Sequence, residues 1–175
     1  MSGVGSATTL GRSFAGEGVP ERGVESMHLE RAVTALAAEA PRGWTRVDVD
    51  AKLCSMMHVF GVQVSSDGGG APLSMPLPRV VGNDLVRARR LMYEPGRGTW
   101  LSAKLTVFPD GGHRVEFNFD DEPAWRPPLH PVAYARDLEA FPRDDEHVPD
   151  WLREQLRLAE IAEAEHQAQI AASSA

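Results

Sequence analysis

The sequence predicts an α+β fold, a single domain in which helices cover a mainly antiparallel sheet. Three observations lead to this prediction. Apolar residues recur at helical spacing in some segments, they alternate with polar residues in others, and the two kinds of segment follow one another as helix, strand pair, helix, strand pair and helices. The 175 residues, 42% hydrophobic and 25% charged, suit one ordinary globular domain.

The first half of the chain contains one predicted helix and two predicted strands. Residues 1–19 are rich in glycine, serine, alanine and threonine, and we expect them to be mobile. A helix follows over residues 21–40. Its apolar positions are Val24, Met27, Leu29, Val33, Leu36 and Ala37. The run WTRVDVDAKL from Trp44 alternates strictly and predicts a half-buried strand, whereas the more continuously apolar run from Met56 to Val64 predicts a more central one.

The second half repeats this order and ends in helices. Residues 79–93 return to helical spacing, and we expect their arginines to form a solvated face. These arginines are Arg87, Arg89 and Arg90. Residues 99–119 predict a β-hairpin around a Pro-Asp-Gly-Gly turn. A short helix is predicted over residues 131–141 and a longer one after it. Residues 163–175 have little to bury and are expected to fray, so the domain proper spans residues 20–162.

Composition excludes several classes of partner. The net charge of −7 disfavours nucleic acid, whose phosphates require clustered lysine and arginine. No stretch approaches the roughly 20 apolar residues that span a bilayer, so we expect no membrane partner. We expect no secretion signal, because the N-terminus lacks a basic region followed by an apolar stretch, and no disulfide framework, because Cys54 is the sole cysteine. These features favour a cytoplasmic protein that binds other proteins.

The sequence lacks a recognisable catalytic motif. The run Gly68, Gly69, Gly70 is followed by Ala71 rather than by the Gly-Lys-Ser/Thr of a phosphate-binding loop. Within one strand Cys54 and a histidine four residues later would lie roughly 13 Å apart, so we expect a buried, inert cysteine. The histidines are scattered singly, without the spacing of a zinc site. We therefore predict no catalytic residue, metal ligand or cofactor.

Two features of the loop at residues 120–128 have more than one interpretation. The acidic run Asp120, Asp121, Glu122 is either solvated, in contact with a partner, or part of an acid–base pair. Trp125 either packs at the edge of the core or anchors an interface, where tryptophan is enriched.

Residues 107–152, VFPDGGHRVEFNFDDEPAWRPPLHPVAYARDLEAFPRDDEHVPDWL, resemble a known family. The hairpin, the Phe-Asn-Phe-Asp-Asp-Glu-Pro-Ala-Trp segment and the Pro-Asp-Trp-Leu segment are similar to small actinobacterial immunity proteins encoded beside polymorphic toxins. The similarity is greatest to immunity factors of the tuberculosis necrotizing toxin type, whose targets are NAD⁺ glycohydrolases, and more distant to YezG-like immunity proteins. The resemblance implies an antitoxin that forms a 1:1 complex with its cognate toxin in the cytoplasm and blocks the active site.

This resemblance suggests a role for the costly glycine run in SSDGGGAPLSMPLP. A thin segment is needed to enter a dinucleotide cleft, and glycine permits close backbone approach. The residues expected to contact the toxin are Ser66, Asp67, Gly68, Gly69, Gly70, Ala71, Pro72, Asp120, Asp121, Glu122 and Trp125. The alternatives are a surface loop without contacts, an adaptor or secretion chaperone, and a hydrolase acting through the acidic run.

Overall fold

The computed structural model describes residues 8–9 and 24–173, and within them it shows a single α+β domain. The strands are β1 (Thr8–Thr9), β2 (Trp44–Leu53), β3 (His58–Ser66), β4 (Leu73–Ser74), β5 (Ser102–Val107) and β6 (His113–Asn118). The helices are α1 (Val24–Glu39), α2 (Arg79–Leu91), α3 (Pro131–Ala140) and α4 (Asp150–Ser173). The sheet order is β1-β6-β5-β2-β3-β4, antiparallel except for the β1–β6 pair. The predicted fold class is confirmed.

The structure describes little of the predicted mobile segment at the N-terminus and nearly all of the C-terminal segment that was expected to fray. Of the segment predicted to be mobile, only Thr8 and Thr9 are described, and they pair with β6. The rest of residues 1–19 lies outside the described residues. At the other end, α4 continues to Ser173, and every described residue from Ala164 onward is exposed. Among the described helices, none has the length and apolarity needed to cross a bilayer.

Strand β2 forms the centre of the sheet. Its alternate residues Val47, Val49, Ala51 and Leu53 are buried, as the period-two pattern predicts. They pack with residues of β3, β5 and β6 against α1 and α2 to form the main core. The polar residues between them lie on the opposite face, which leaves one side of the sheet open to solvent.

The sequence predicted a more central strand from Met56 to Val64. This prediction is wrong about the place of the strand in the sheet and about its first residue. The strand begins at His58 and is flanked by β2 on one side and by the two-residue β4 on the other. Met56 and Met57, which are 65% and 47% exposed, belong to the turn before it. The Cys54 N–H donates to the Met57 carbonyl at 2.8 Å and closes that turn. The prediction failed because part of the apolar run on which it depended, Met56 and Met57, lies on the surface.

Helices α1 and α2 are joined by a buried polar cluster. Asp84 is buried on α2, and its Oδ1 lies 2.8 Å from His28 Nδ1 on α1. The Arg31 Nε donates to Asp84 Oδ2 at 2.7 Å, and a second Arg31 nitrogen donates to Oδ1. His28 thus occupies the face that the sequence assigned to Met27, which is 53% exposed. Charge pairing, in addition to apolar packing, fixes how the two helices meet.

We expect this cluster to make the stability of the protein sensitive to acid. Burial alone would raise the pKa of Asp84, but the hydrogen bonds from Arg31 and His28 hold that pKa below its ordinary value. Asp84 binds its proton more weakly in the folded chain than in the unfolded one. Its contribution is therefore present above the unfolded pKa of about 3.9 and is lost as the pH falls through the lower folded pKa.

Urea unfolding of Asp84→Asn, measured from about pH 2.5 to about pH 7, determines this contribution. The variant should lose less stability than the wild type as the pH falls, because asparagine does not titrate. Asp50→Asn, on the exposed face of the sheet, serves as the control and should retain the wild-type slope. Parallel pH profiles for wild type and Asp84→Asn would show that Asp84 is not the source of the acid sensitivity.

The arginines of α2 are not all solvated, which corrects the sequence prediction. Arg87 and Arg90 are exposed, but Arg89 is 3% exposed. Its guanidinium donates to both carboxylate oxygens of Asp137 on α3, at 3.0 and 2.7 Å, and its Nε donates to the Trp100 carbonyl at 2.7 Å. The pair therefore joins α2, the segment before β5, and α3.

Helices α3 and α4 enclose a second, smaller core. Its buried members are Trp125, Tyr134, Val148 and Leu152. Arg143, which follows α3, donates to the carbonyls of Thr99 at 2.9 Å, Phe119 at 2.7 Å and His147 at 3.2 Å. These contacts attach the α3–α4 unit to one end of the sheet.

Candidate functional site

The segment between β3 and β4, residues 67–72, is an exposed loop that we call the glycine loop. Its ends are fixed by strand pairing, with Val64 opposite Leu73 and Gln63 opposite Ser74. The Asp67 N–H donates to the Gly43 carbonyl at 3.2 Å, which secures the first residue of the loop. The loop is thus a projecting tip on a fixed base.

The fold requires glycine at only one position of the run. Gly69 has a φ of +65°, in the left-handed region that favours glycine. A Cβ atom at Gly68, Gly69 or Gly70 would meet nothing within 4 Å in the described structure. Neither backbone conformation nor space therefore demands glycine at 68 or 70. The two extra glycines keep the tip narrow at an entropic cost that the fold itself does not explain.

The acidic run that the sequence grouped with this loop lies elsewhere. Asn118, at the end of β6, is in register with Ser102 and through it with Lys52, whereas Ser66 is opposite Trp44 at the other end of β2. Eight residues along the strand and three strands across give separations of about 26 Å and about 14 Å. The structure therefore does not bring residues 120–122 together with the glycine loop.

The acidic run caps the end of β6 and borders a groove on the open face of the sheet. Asn118 Oδ1 accepts hydrogen bonds from the N–H groups of Asp120 and Asp121, and the Asp120 carbonyl accepts one from Trp151 Nε1. The groove has a volume of about 480 Å³. Charged residues that line it include Asp50, Lys52, Lys104, Glu116, Asp120 and Asp121. Because both signs of charge are interspersed, the groove does not select a ligand of one charge.

Trp125 is buried, with 8% of its surface exposed, and belongs to the second core. Of the two roles that the sequence left open, this burial favours packing. A partner would reach the indole ring only if the loop at residues 120–128 moved.

Cys54 and His58 lie on opposite sides of the turn between β2 and β3 and not in one strand, which corrects the geometry expected from the sequence. Cys54 is buried, and this burial raises the pKa of its thiol. The pKa of His58 is lowered by burial first and by the nearby positive charges of Arg89 and Arg90 second. Both shifts oppose an ion pair of thiolate and imidazolium, the activated state of a nucleophilic cysteine.

Among the described residues, one group combines three potential metal ligands. Ligand atoms of Asp144, Glu146 and His147 lie within 4.8 Å of one another. The sequence did not predict this group, because the chain contains neither a His-x-His nor a His-Glu-x-x-His motif. Both carboxylates are exposed and His147 is half-buried, which favours a solvated cluster over a binding site.

No protein-family model matches the chain, and a search of curated proteins finds no significant relative.

Proposed function

We propose that the protein is an immunity protein that inhibits an NAD⁺ glycohydrolase toxin in the cytoplasm of the producing cell. In this proposal the glycine loop enters the substrate cleft of the toxin and excludes NAD⁺. The observation that carries the proposal is the projecting loop with glycines that the fold does not require at 68 and 70. The resemblance of residues 107–152 to toxin immunity proteins supplies the class of target.

The shape of the loop suits an inhibitor that must enter a narrow cleft. A fixed base reduces the conformational entropy that binding must remove, because strand pairing already holds both ends. Small residues from Gly68 to Ala71 minimise the width of the tip, and Pro72 restricts the returning chain. Asp67 places one carboxylate at the entrance of the loop, where it would meet groups that otherwise bind phosphate.

The charge of the chain favours the same type of target. An enzyme that binds a dinucleotide presents positive charge around its cleft, since the pyrophosphate is anionic. The inhibitor carries a net charge of −7. Opposite charge accelerates association of two proteins and is screened by salt.

The proposal is tested by titrating a candidate NAD⁺ glycohydrolase of the necrotizing-toxin type with this protein. We expect hydrolysis to fall to zero at about one equivalent, as in tight inhibitory complexes. Because the loop would occupy the substrate site, a higher NAD⁺ concentration should raise the apparent inhibition constant. A complex that leaves NAD⁺ hydrolysis unchanged would contradict the proposal and favour an adaptor or secretion chaperone. Inhibition that is insensitive to NAD⁺ would contradict occupation of the active site.

A further inference from the structure

Strand β3 is only partly covered on its outer side. β4 pairs with it at Gln63 and Val64, and the Met75 N–H extends the ladder with a 3.2 Å hydrogen bond to the Val62 carbonyl. In the part of the chain that the structure describes, no strand pairs with residues 58–61 on this side. We call this stretch the open edge of β3.

Prolines explain why the pairing stops. Continuation of the β3–β4 register would place Leu77 opposite Phe60. Leu77 stands between Pro76 and Pro78, and α2 begins immediately afterwards. Proline has no N–H to donate to a ladder and restricts the residue before it, so the chain leaves the sheet here.

Two hydrogen bonds fix the direction in which the backbone groups of the open edge point. Met57 accepts from Cys54 on the β2 side of the strand, whereas Val62 accepts from Met75 on the outer side. Backbone groups alternate sides along a strand, so Val59 and Gly61 face β2. His58 and Phe60 accordingly present their N–H and carbonyl groups outward, as a template for another strand.

The surroundings of the open edge are apolar. Large exposed apolar side chains occur on the turn before β3, on β3 itself and on β4. They are Met56, Met57, Val59 and Leu73. An added strand would place alternate side chains against such a surface, which is how strand addition obtains selectivity.

Helix α2 brings positive charge close to the open edge, since Arg89 and Arg90 both act electrostatically on His58, although the net charge of the chain is negative. A Cβ atom on Gly82 would lie 3.6 Å from the Phe60 ring, so α2 runs next to this edge. The exposed charged residues of α2 are Arg79, Arg87 and Arg90, and its one acid, Asp84, is buried and paired. A second copy of the chain would bring two such arginine sets together, which disfavours self-association here.

We propose that the open edge of β3 binds an extended acidic segment of a partner protein as an additional strand. The backbone groups of His58 and Phe60 pair with the segment, and the α2 arginines contact its carboxylates. This site is separate from the tip of the glycine loop and does not depend on the proposed inhibition of NAD⁺ hydrolysis.

The first test measures binding of a synthetic nine-residue peptide to the full-length protein. In this peptide glutamate alternates with valine and threonine. We expect saturable binding by fluorescence anisotropy and an amide hydrogen exchange rate at Phe60 that falls about tenfold or more. Replacing glutamate by lysine, or methylating alternate peptide nitrogens, should each weaken binding about tenfold or more. Absence of binding, or equal binding of the methylated peptide, would overturn the proposal. Protection of the Phe60 amide before peptide is added would also overturn it, because the edge would then be occupied.

A matched pair of variants tests the protein side. His58→Pro removes the outward N–H at an exposed position, whereas His58→Ala removes the same side chain and keeps that N–H. The alanine variant should bind the peptide like the wild type, and the proline variant about fivefold to tenfold more weakly. Equal affinities of two folded variants would overturn the proposal. If His58→Pro does not fold, the methylated peptide decides the question. Peptide-independent dimers in sedimentation experiments would instead identify a second copy as the occupant.

Discussion

Replacing Arg89 with alanine is expected to lower the free energy of unfolding by about 3–5 kcal/mol. The guanidinium is almost fully buried, pairs bidentately with Asp137, and lies 4.5 Å from the centroid of the Phe141 ring. Truncation would leave the Asp137 carboxylate buried, with the Ser55 N–H as its remaining hydrogen-bond donor. The loss is large because an uncompensated buried charge costs more than the intact pair contributes.

Urea denaturation monitored by tryptophan fluorescence and by circular dichroism measures this effect. Arg87→Ala, on the exposed face of the same helix, is the matched control and should change stability by less than about 0.5 kcal/mol. Arg89→Met combined with Asp137→Leu should cost less than the sum of the two single changes, because no charge remains unpaired. A loss below about 1 kcal/mol for Arg89→Ala would show that water reaches Asp137 and compensates for its partner.

Gly69→Arg is expected to weaken toxin inhibition about a hundredfold or more, equivalent to roughly 2.7 kcal/mol. A long cation at the tip of the glycine loop would widen the segment that is proposed to enter the NAD⁺ cleft. It would also place positive charge among groups that bind phosphate. The side chain has free space in the isolated protein, and the backbone strain of arginine at the positive φ of residue 69 falls on an exposed loop outside the folded core. Inhibition constants from NAD⁺ hydrolysis, together with thermal unfolding of each variant, provide the measurement.

Gly111→Arg provides a closely matched control. Gly111 also has a positive φ, +84°, and a Cβ atom there would likewise meet nothing within 4 Å. The two variants therefore share backbone strain, added charge and added volume, but differ in the turn that carries the change. Gly111→Arg should inhibit within about threefold of the wild type, in the range of peripheral changes. Equal losses in both variants, or none in Gly69→Arg, would contradict the specific role of the glycine loop.

The order of elements was predictable because two periodicities dominate the sequence. Strict alternation in β2 and in the β5–β6 hairpin matches the buried residues Val49, Leu105 and Val115. The central position assigned to β3 failed because it was inferred from an apolar run, and exposed methionines in a turn contribute to such a run as much as buried residues do. Whether a strand lies at the edge or in the centre of a sheet depends on which other strands pair with it. Here Pro76 and Pro78 limit the pairing of β3 on its outer side.

The polar interior was harder to predict, although one signal was present. Arg89 lies four residues after Leu85 and eight after Val81, on the buried face of α2. Helical spacing therefore indicates a buried position, although we predicted a solvated one. A buried arginine is expected only with a partner, and the partner here, Asp137, is 48 residues away in sequence. The distance between the glycine loop and residues 120–122 could not be predicted either, because it depends on strand register. The loop itself was identifiable, because three consecutive glycines are conspicuous in any sequence.

The contacts of Arg143 make one connection within the fold independent of whether the surroundings are oxidising or reducing. Its side chain donates to the carbonyls of Thr99, Phe119 and His147, so it links the segment after α3 to residues 44 and 24 positions earlier in the sequence. Small proteins often use disulfides for such cross-links, but a chain with one cysteine cannot form one internally. A guanidinium held by carbonyl oxygens is neither oxidised nor reduced. The attachment of the α3–α4 unit to the sheet is therefore independent of redox potential, because no disulfide within the chain contributes to it.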